Sequence, residues 1–129
     1  MSWYLCTIGS ATPGNWELCK QVHLYGIIRG ATGRPRIESG DHLLVWQGGA
    51  GYIAEAEATG PARIPSNKEE APWPGGTHRF AYVIPIDVML EVTSPLKLSF
   101  VGNKQLGADF PKGFSNVVSR QFATKLPCT

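Results

Sequence analysis

Residues 36–58, RIESGDHLLVWQGGAGYIAEAEA, read as strand, turn and strand. Glu38, Ser39, Gly40 and Asp41 form a turn cluster that launches the apolar run HLLVW from His42 to Trp46. Gly48, Gly49, Ala50 and Gly51 then reverse the chain. From there Tyr52, Ala54, Ala56 and Ala58 alternate with Ile53, Glu55 and Glu57, the period of a strand with one buried face. A continuous apolar strand beside an alternating one predicts a central strand paired with a neighbour that has a wet face. The small side chains of the second strand leave room beside Trp46 and Tyr52 for a flat ligand. Tight packing by neighbouring elements is the simpler reading of the same pattern.

The rest of the chain supplies further strands and two helices. WYLCTI, from Trp3 to Ile8, is a β-prone run that GSATPG breaks. Asn15 is a suitable helix N-cap, and Glu17 places negative charge in the first turn. Trp16, Cys19 and His23 fall on one helical stripe, and Leu18, Val22 and Tyr25 on its neighbour. With Gly26 as the stop, the spacing predicts a helix over residues 15–25, followed by a brief strand at Ile27 and Ile28. RGATGRPR then brings Arg29, Arg34 and Arg36 into one loop, either solvated or suited by guanidinium geometry to phosphate.

Residues 59–77 hold four prolines and three glycines and make a long loop. Trp73 within it has no periodicity to assign it to a core. It either caps the core edge or offers a stacking face. HRFAYVIPI, from His78 to Ile86, alternates as a strand, with Pro85 marking an end, an edge or a bulge. Val88 to Val92 continues β-like, and Leu96, Leu98 and Phe100 alternate as another strand. After a polar loop over residues 102–113, Val117, Val118, Phe122 and Leu126 recur at helical spacing behind Ser115 or Asn116. The sum is one α+β domain over residues 1–129. About six strands form a small, curved, mostly antiparallel barrel flanked by helices.

Several function classes lack their residues. Cys6, Cys19 and Cys128 form no CxxC, and three scattered histidines complete no zinc set, so free thiols and no metal are expected. No serine has a G-x-S-x-G context, and the glycines around Gly49 precede a strand, not a helix, which disfavours a phosphate cradle. Asp41 reads as a turn former. Glu55 and Glu57 share a strand face, and solvation explains them more simply than paired catalysis. No enzyme activity and no cofactor are expected. No apolar run approaches membrane-spanning length and no secretory leader opens the chain, so the expectation is a cytoplasmic protein. A net charge of +2 neither requires nor excludes nucleic acid. Aromatic rings, small residues and dispersed cations are the parts of a recognition module.

Four blocks, in order, resemble an EVE domain of the PUA-like superfamily, which also holds the YTH and ASCH domains. They are WYLCTI with NWELC and LYGI, then IESGDHLLVW, then GYIAEA, and finally HRFAYVIPI. The resemblance implies a PUA-like barrel with a pocket for a flipped-out, modified base, methylated or hydroxymethylated, in DNA or RNA. It also implies a possible partner, a fused or associated nuclease of a modification-dependent restriction system. Carried over by position, it marks Ser10, Asn15, Trp16, Tyr25, Trp46 and Trp73 for the base. Tyr25 stands where relatives often place a cage Trp, which changes which base fits. The candidates for phosphate are Arg29, Arg34, Arg36, Arg79, Lys112, Ser119 and Arg120. Stacking on a ring is worth roughly 1–3 kcal/mol, comparable with the few kcal/mol that base extrusion costs. The alternatives are a pocket for a nucleobase-like metabolite, and a hydrolase of nucleotide derivatives. The hydrolase would need a Lys and Glu or similar pair that only Glu55 or Glu57 could supply.

Overall fold

The computed structural model describes residues 2–30, 33–96 and 124–125, with backbone only for residues 93–96 and 124–125. It is an α+β structure built on one strongly curled, mixed sheet. The strands are β1 (Trp3–Ile8), β2 (Leu24–Ile28), β3 (His42–Gln47), β4 (Gly51–Ala58), β5 (Phe80–Leu96) and the two-residue β6 (Thr124–Lys125). The helices are α1 (Asn15–Val22) and α2 (Gly76–Arg79). The sheet order is β2-β5-β4-β3-β1-β6.

The hairpin forms where the two periods meet. β3 and β4 pair antiparallel from His42 opposite Glu57 to Gln47 opposite Gly51. The Ala50 N–H closes the turn on the Gln47 carbonyl at 3.0 Å, and Gly49, at φ 77°, takes a left-handed conformation that suits glycine. Ala54, Ala56 and Ala58 are buried in the core while Ile53, Glu55 and Glu57 are half-buried. Tyr52 departs from this alternation. The register slips between Val45 and Trp46 and between Tyr52 and Ala54, so Tyr52 stands opposite Trp46. It is fully buried yet lies outside the core cluster.

Three of the five strand pairings are antiparallel and the two that involve β1 are parallel, so the sheet is mixed. β1 runs parallel to β3, from Trp3 beside His42 to Ile8 beside Gln47, and also parallel to β6. Parallel neighbours need a crossover, and α1 and β2 supply it for β1 and β3. β5 produces the curl. Its first part pairs with β2, Phe80 to Ile28 and Pro85 to Leu24. Its remainder pairs with β4, Ile86 to Ala58 and Leu96 to Tyr52. Pro85 therefore sits inside the strand, where it passes from one partner to the other and a missing N–H costs least.

The first helix is shorter than predicted. Gly14, not Asn15, is the N-cap, and no side chain caps it. The helix stops at His23, which adopts the left-handed conformation at φ 56° and ψ 39° and donates its backbone N–H to the Cys19 carbonyl. Tyr25 and Gly26 accordingly belong to β2. His78 and Arg79, predicted to open the long strand, lie in α2. Thr124 and Lys125 pair with Tyr4 and Leu5 as strand, so a helix reaching Leu126 does not cover them. The other expectations for residues 97–123 and 126–129, including Lys112, Ser119, Arg120 and Cys128, lie outside the described residues.

Asp41 does more than shape a turn. Its carboxylate accepts the Ser2 N–H on Oδ1 and the Glu38 N–H on Oδ2, each at 2.8 Å, and so ties the start of β1 to the start of β3. Cys6 and Cys19 are free thiols without exposure. Burial raises both above the ordinary thiol value, Cys19 to about 12, so neither is a thiolate at neutral pH.

Candidate nucleic-acid interface

The candidate site is built on Asn15, Trp73 and the arginines beyond them. Asn15 opens α1 at 3% exposure, and its backbone carbonyl accepts the Trp73 indole N–H at 3.2 Å. Its side-chain Nδ2 is buried and has no hydrogen-bond partner among the described residues. Such a donor costs about 1–3 kcal/mol. Trp73 is held at 1% exposure, its ring 4.9 Å from that of Phe80. A Cβ at Gly26 would lie 2.7 Å from Trp73 Cζ3 and 2.8 Å from Phe80 Cδ1, so only glycine admits both rings against β2. The guanidinium of Arg79 lies 5.7 Å from the Phe80 ring centroid. Arg29 joins the same end, since its backbone N–H donates to the Arg79 carbonyl at 2.6 Å. Its Nε and Nη2 donate to the carbonyls of His78 and Thr77 at 3.1 and 2.8 Å. Arg34 and Arg36 are exposed in the following loop. Among the described residues none of these four arginines has a carboxylate partner.

The aromatic residues do not form an open cage. Tyr25 is fully buried, and its hydroxyl accepts from the Thr7 N–H at 3.2 Å and donates to the Thr7 carbonyl at 3.1 Å. It is a core strut between β2 and β1. Trp16 is 6% exposed, with its indole N–H on Glu91 Oε2 at 3.3 Å. Trp73 is in the core and not a stacking face; a polar, proline-rich loop hides a core tryptophan because the ring's anchor lies far off in sequence, at Asn15. Trp46 is half-buried on the sheet face opposite the core. Ser10 is exposed, and its loop packs on the β3–β4 turn: the Gly48 N–H reaches the Ile8 carbonyl at 2.8 Å and Gln47 Nε2 reaches the Gly9 carbonyl at 3.0 Å. The structure thus joins Asn15, Trp73, Arg79 and Arg29, and brings neither Tyr25 nor Trp16 to an open face.

Two further groupings escaped sequence reasoning. On the face opposite the core, Trp3 stacks on His42 at 4.2 Å and 18°, and His42 Nδ1 lies 3.7 Å from Glu55 Oε1. The antiparallel register of the hairpin was the available signal for that pair. In the long loop, Arg63 forks onto Glu70 with two 2.7 Å bonds, and the Ser66 N–H adds a third at 2.8 Å. This fork holds the Glu70 carboxyl down at about 2. The loop walls a groove of about 560 Å³ over Val22 and Leu24, with Ser66, Asn67 and Glu69 on its rim.

Among the described residues no three metal-ligating side chains converge, and no helix is long and apolar enough to cross a membrane. No protein-family model matches the chain, and no curated protein matches it.

Proposed function

We propose that this chain is a non-enzymatic nucleic-acid-binding domain of the EVE type, with a PUA-like barrel, that reads an extruded and modified base. The observation that carries this reading is the Asn15 side-chain Nδ2, which is buried at the start of α1 with no partner among the described residues and is linked through Trp73 and Phe80 to exposed arginines that no described carboxylate neutralises. A buried donor kept without a partner costs stability, and an acceptor on a ligand would recover that cost. A base edge presents such acceptors, and unpaired arginines suit the phosphates on either side of it. In this reading Asn15 is the specificity contact, and Tyr25 and Trp73 support it from within the core. A nuclease, fused or associated, is the partner that would act on what the domain detects.

The test is anisotropy binding to labelled duplexes and single strands. They carry unmodified, methylated and hydroxymethylated cytosine or adenine, at two salt concentrations. The expected result is tighter binding to one modified strand, weakened by added salt because phosphate contacts release counterions. Asn15→Leu should abolish the preference between modified and unmodified strands, and Arg79→Gln should weaken both. Flat, salt-insensitive binding sinks the proposal and favours the second reading, a free metabolite as the ligand.

A further inference from the structure

Arg29, one of the arginines that the sequence marks for phosphate, has two of its five guanidinium N–H groups on backbone carbonyls instead. Arg29 closes β2, and three of its N–H groups meet the three consecutive carbonyls of Thr77, His78 and Arg79. Those carbonyls end α2, a single turn entered through Gly75 and Gly76 at φ 96° and 51°. A four-residue helix has almost no internal bonding to hold it. What bonds α2 to the sheet is the Arg29 fork, together with continuation into β5. The turn carries Arg79 outward over the Phe80 ring and leaves His78 exposed beside it.

We infer that Arg29 is a positioning residue: it holds the α2 turn so that Arg79, with His78 beside it, meets the phosphodiester backbone. This rests on the nucleic-acid reading above. The geometry needs the planar fork, because one rigid group reaches two carbonyls from Nε and Nη2. A lysine at the same place keeps the charge but offers a single point of contact.

The tie and the binding are tested separately. Hydrogen exchange of the free protein reads the tie: the backbone amides of residues 76–80 should exchange faster in both Arg29→Lys and Arg29→Gln, with the sheet amides unchanged. Anisotropy with a short labelled DNA duplex and its single strand reads the coupling. Arg79→Gln should weaken binding and lower the salt slope by about one phosphate. Arg29→Lys should weaken binding as Arg29→Gln does, and neither should add more than about twofold in the Arg79→Gln background, the non-additivity of two residues acting as one. If Arg29→Lys binds like the wild type, or if the losses add, Arg29 contacts phosphate itself and the inference is overturned. Unchanged exchange in residues 76–80 overturns it too. A wild-type protein that binds neither strand removes the nucleic-acid reading, while the exchange result still stands on its own.

Discussion

At the scale of single residues, Asn15 and Trp73 divide the labour that the sequence suggested for rings. Trp73 packs on Gly26 and Phe80 and anchors the long loop on the Asn15 carbonyl. A Trp73→Ala substitution therefore removes core, at about 3–5 kcal/mol, and reports on stability, not on stacking. Asn15 is the informative position. Leu at Asn15 is of similar bulk, a better helix former, and brings no buried donor. We expect Asn15→Leu to stabilise the protein by about 1 kcal/mol or more, seen as a higher urea midpoint at unchanged m-value, while losing base discrimination. A lower midpoint would mean that the Asn15 amide is satisfied in solution. Asn15 was legible in the sequence as a helix-start residue, but its burial was not, because Gly14 takes the cap and moves Asn15 into the first turn.

At the scale of elements, the hairpin was readable and the helix end was not, for one physical reason. β3 and β4 carry their pairing in their own period: a run of apolar residues, a glycine turn, then small and polar residues in alternation. The end of α1 depends on backbone conformation at His23, where no glycine announces a left-handed residue. The stripe of Trp16, Cys19 and His23 runs on in sequence past the point where the chain leaves the helix. β2 was misread for the same reason, since Tyr25 prolongs the helical spacing of Leu18 and Val22 while Leu24 and Tyr25 pair with Pro85 and Ile84. A side chain in that conformation costs about 1–2 kcal/mol, and glycine gives back part of the gain through its looser unfolded chain. His23→Gly should then stabilise the protein by about 0.5–1 kcal/mol, seen as a higher urea midpoint. The His23 carbonyl, which accepts the Ile86 N–H at 2.9 Å, would be kept. A lower midpoint would show that the exposed imidazole makes a contact that outweighs the backbone cost.

At the scale of the whole molecule, acid and base act on the fold through two carboxylates with opposite signs. Glu55 lies on the sheet face opposite the core, its side chain 14% exposed, and burial raises its carboxyl above the ordinary 4.5 while His42 pulls the other way. Its protonated form is therefore the one that folding favours. That contribution is complete below pH 4.5 and is lost as pH rises through the raised value. Glu70, on the long loop, is held down at about 2 by the Arg63 fork. Its contribution is complete above 4.5 and is lost as pH falls toward 2. Removing the first carboxyl separates the two. Glu55→Gln should be more stable than the wild type at pH 7, the advantage should shrink as pH falls through the raised value, and it should vanish below about 4.5, where wild-type Glu55 is itself uncharged. Both proteins should then lose stability together toward pH 2 as Glu70 titrates. Urea midpoints from pH 2 to 8 follow both windows in one series. An advantage that persists unchanged at pH 3 would assign the effect to packing on that face, and a disadvantage at pH 7 would make the His42 contact worth more than the burial of Glu55 costs. The two carboxylates sit on separate elements, one on the hairpin and one on the loop that carries Trp73. Coincident shifts in both windows would therefore show that hairpin and loop unfold as one cooperative unit.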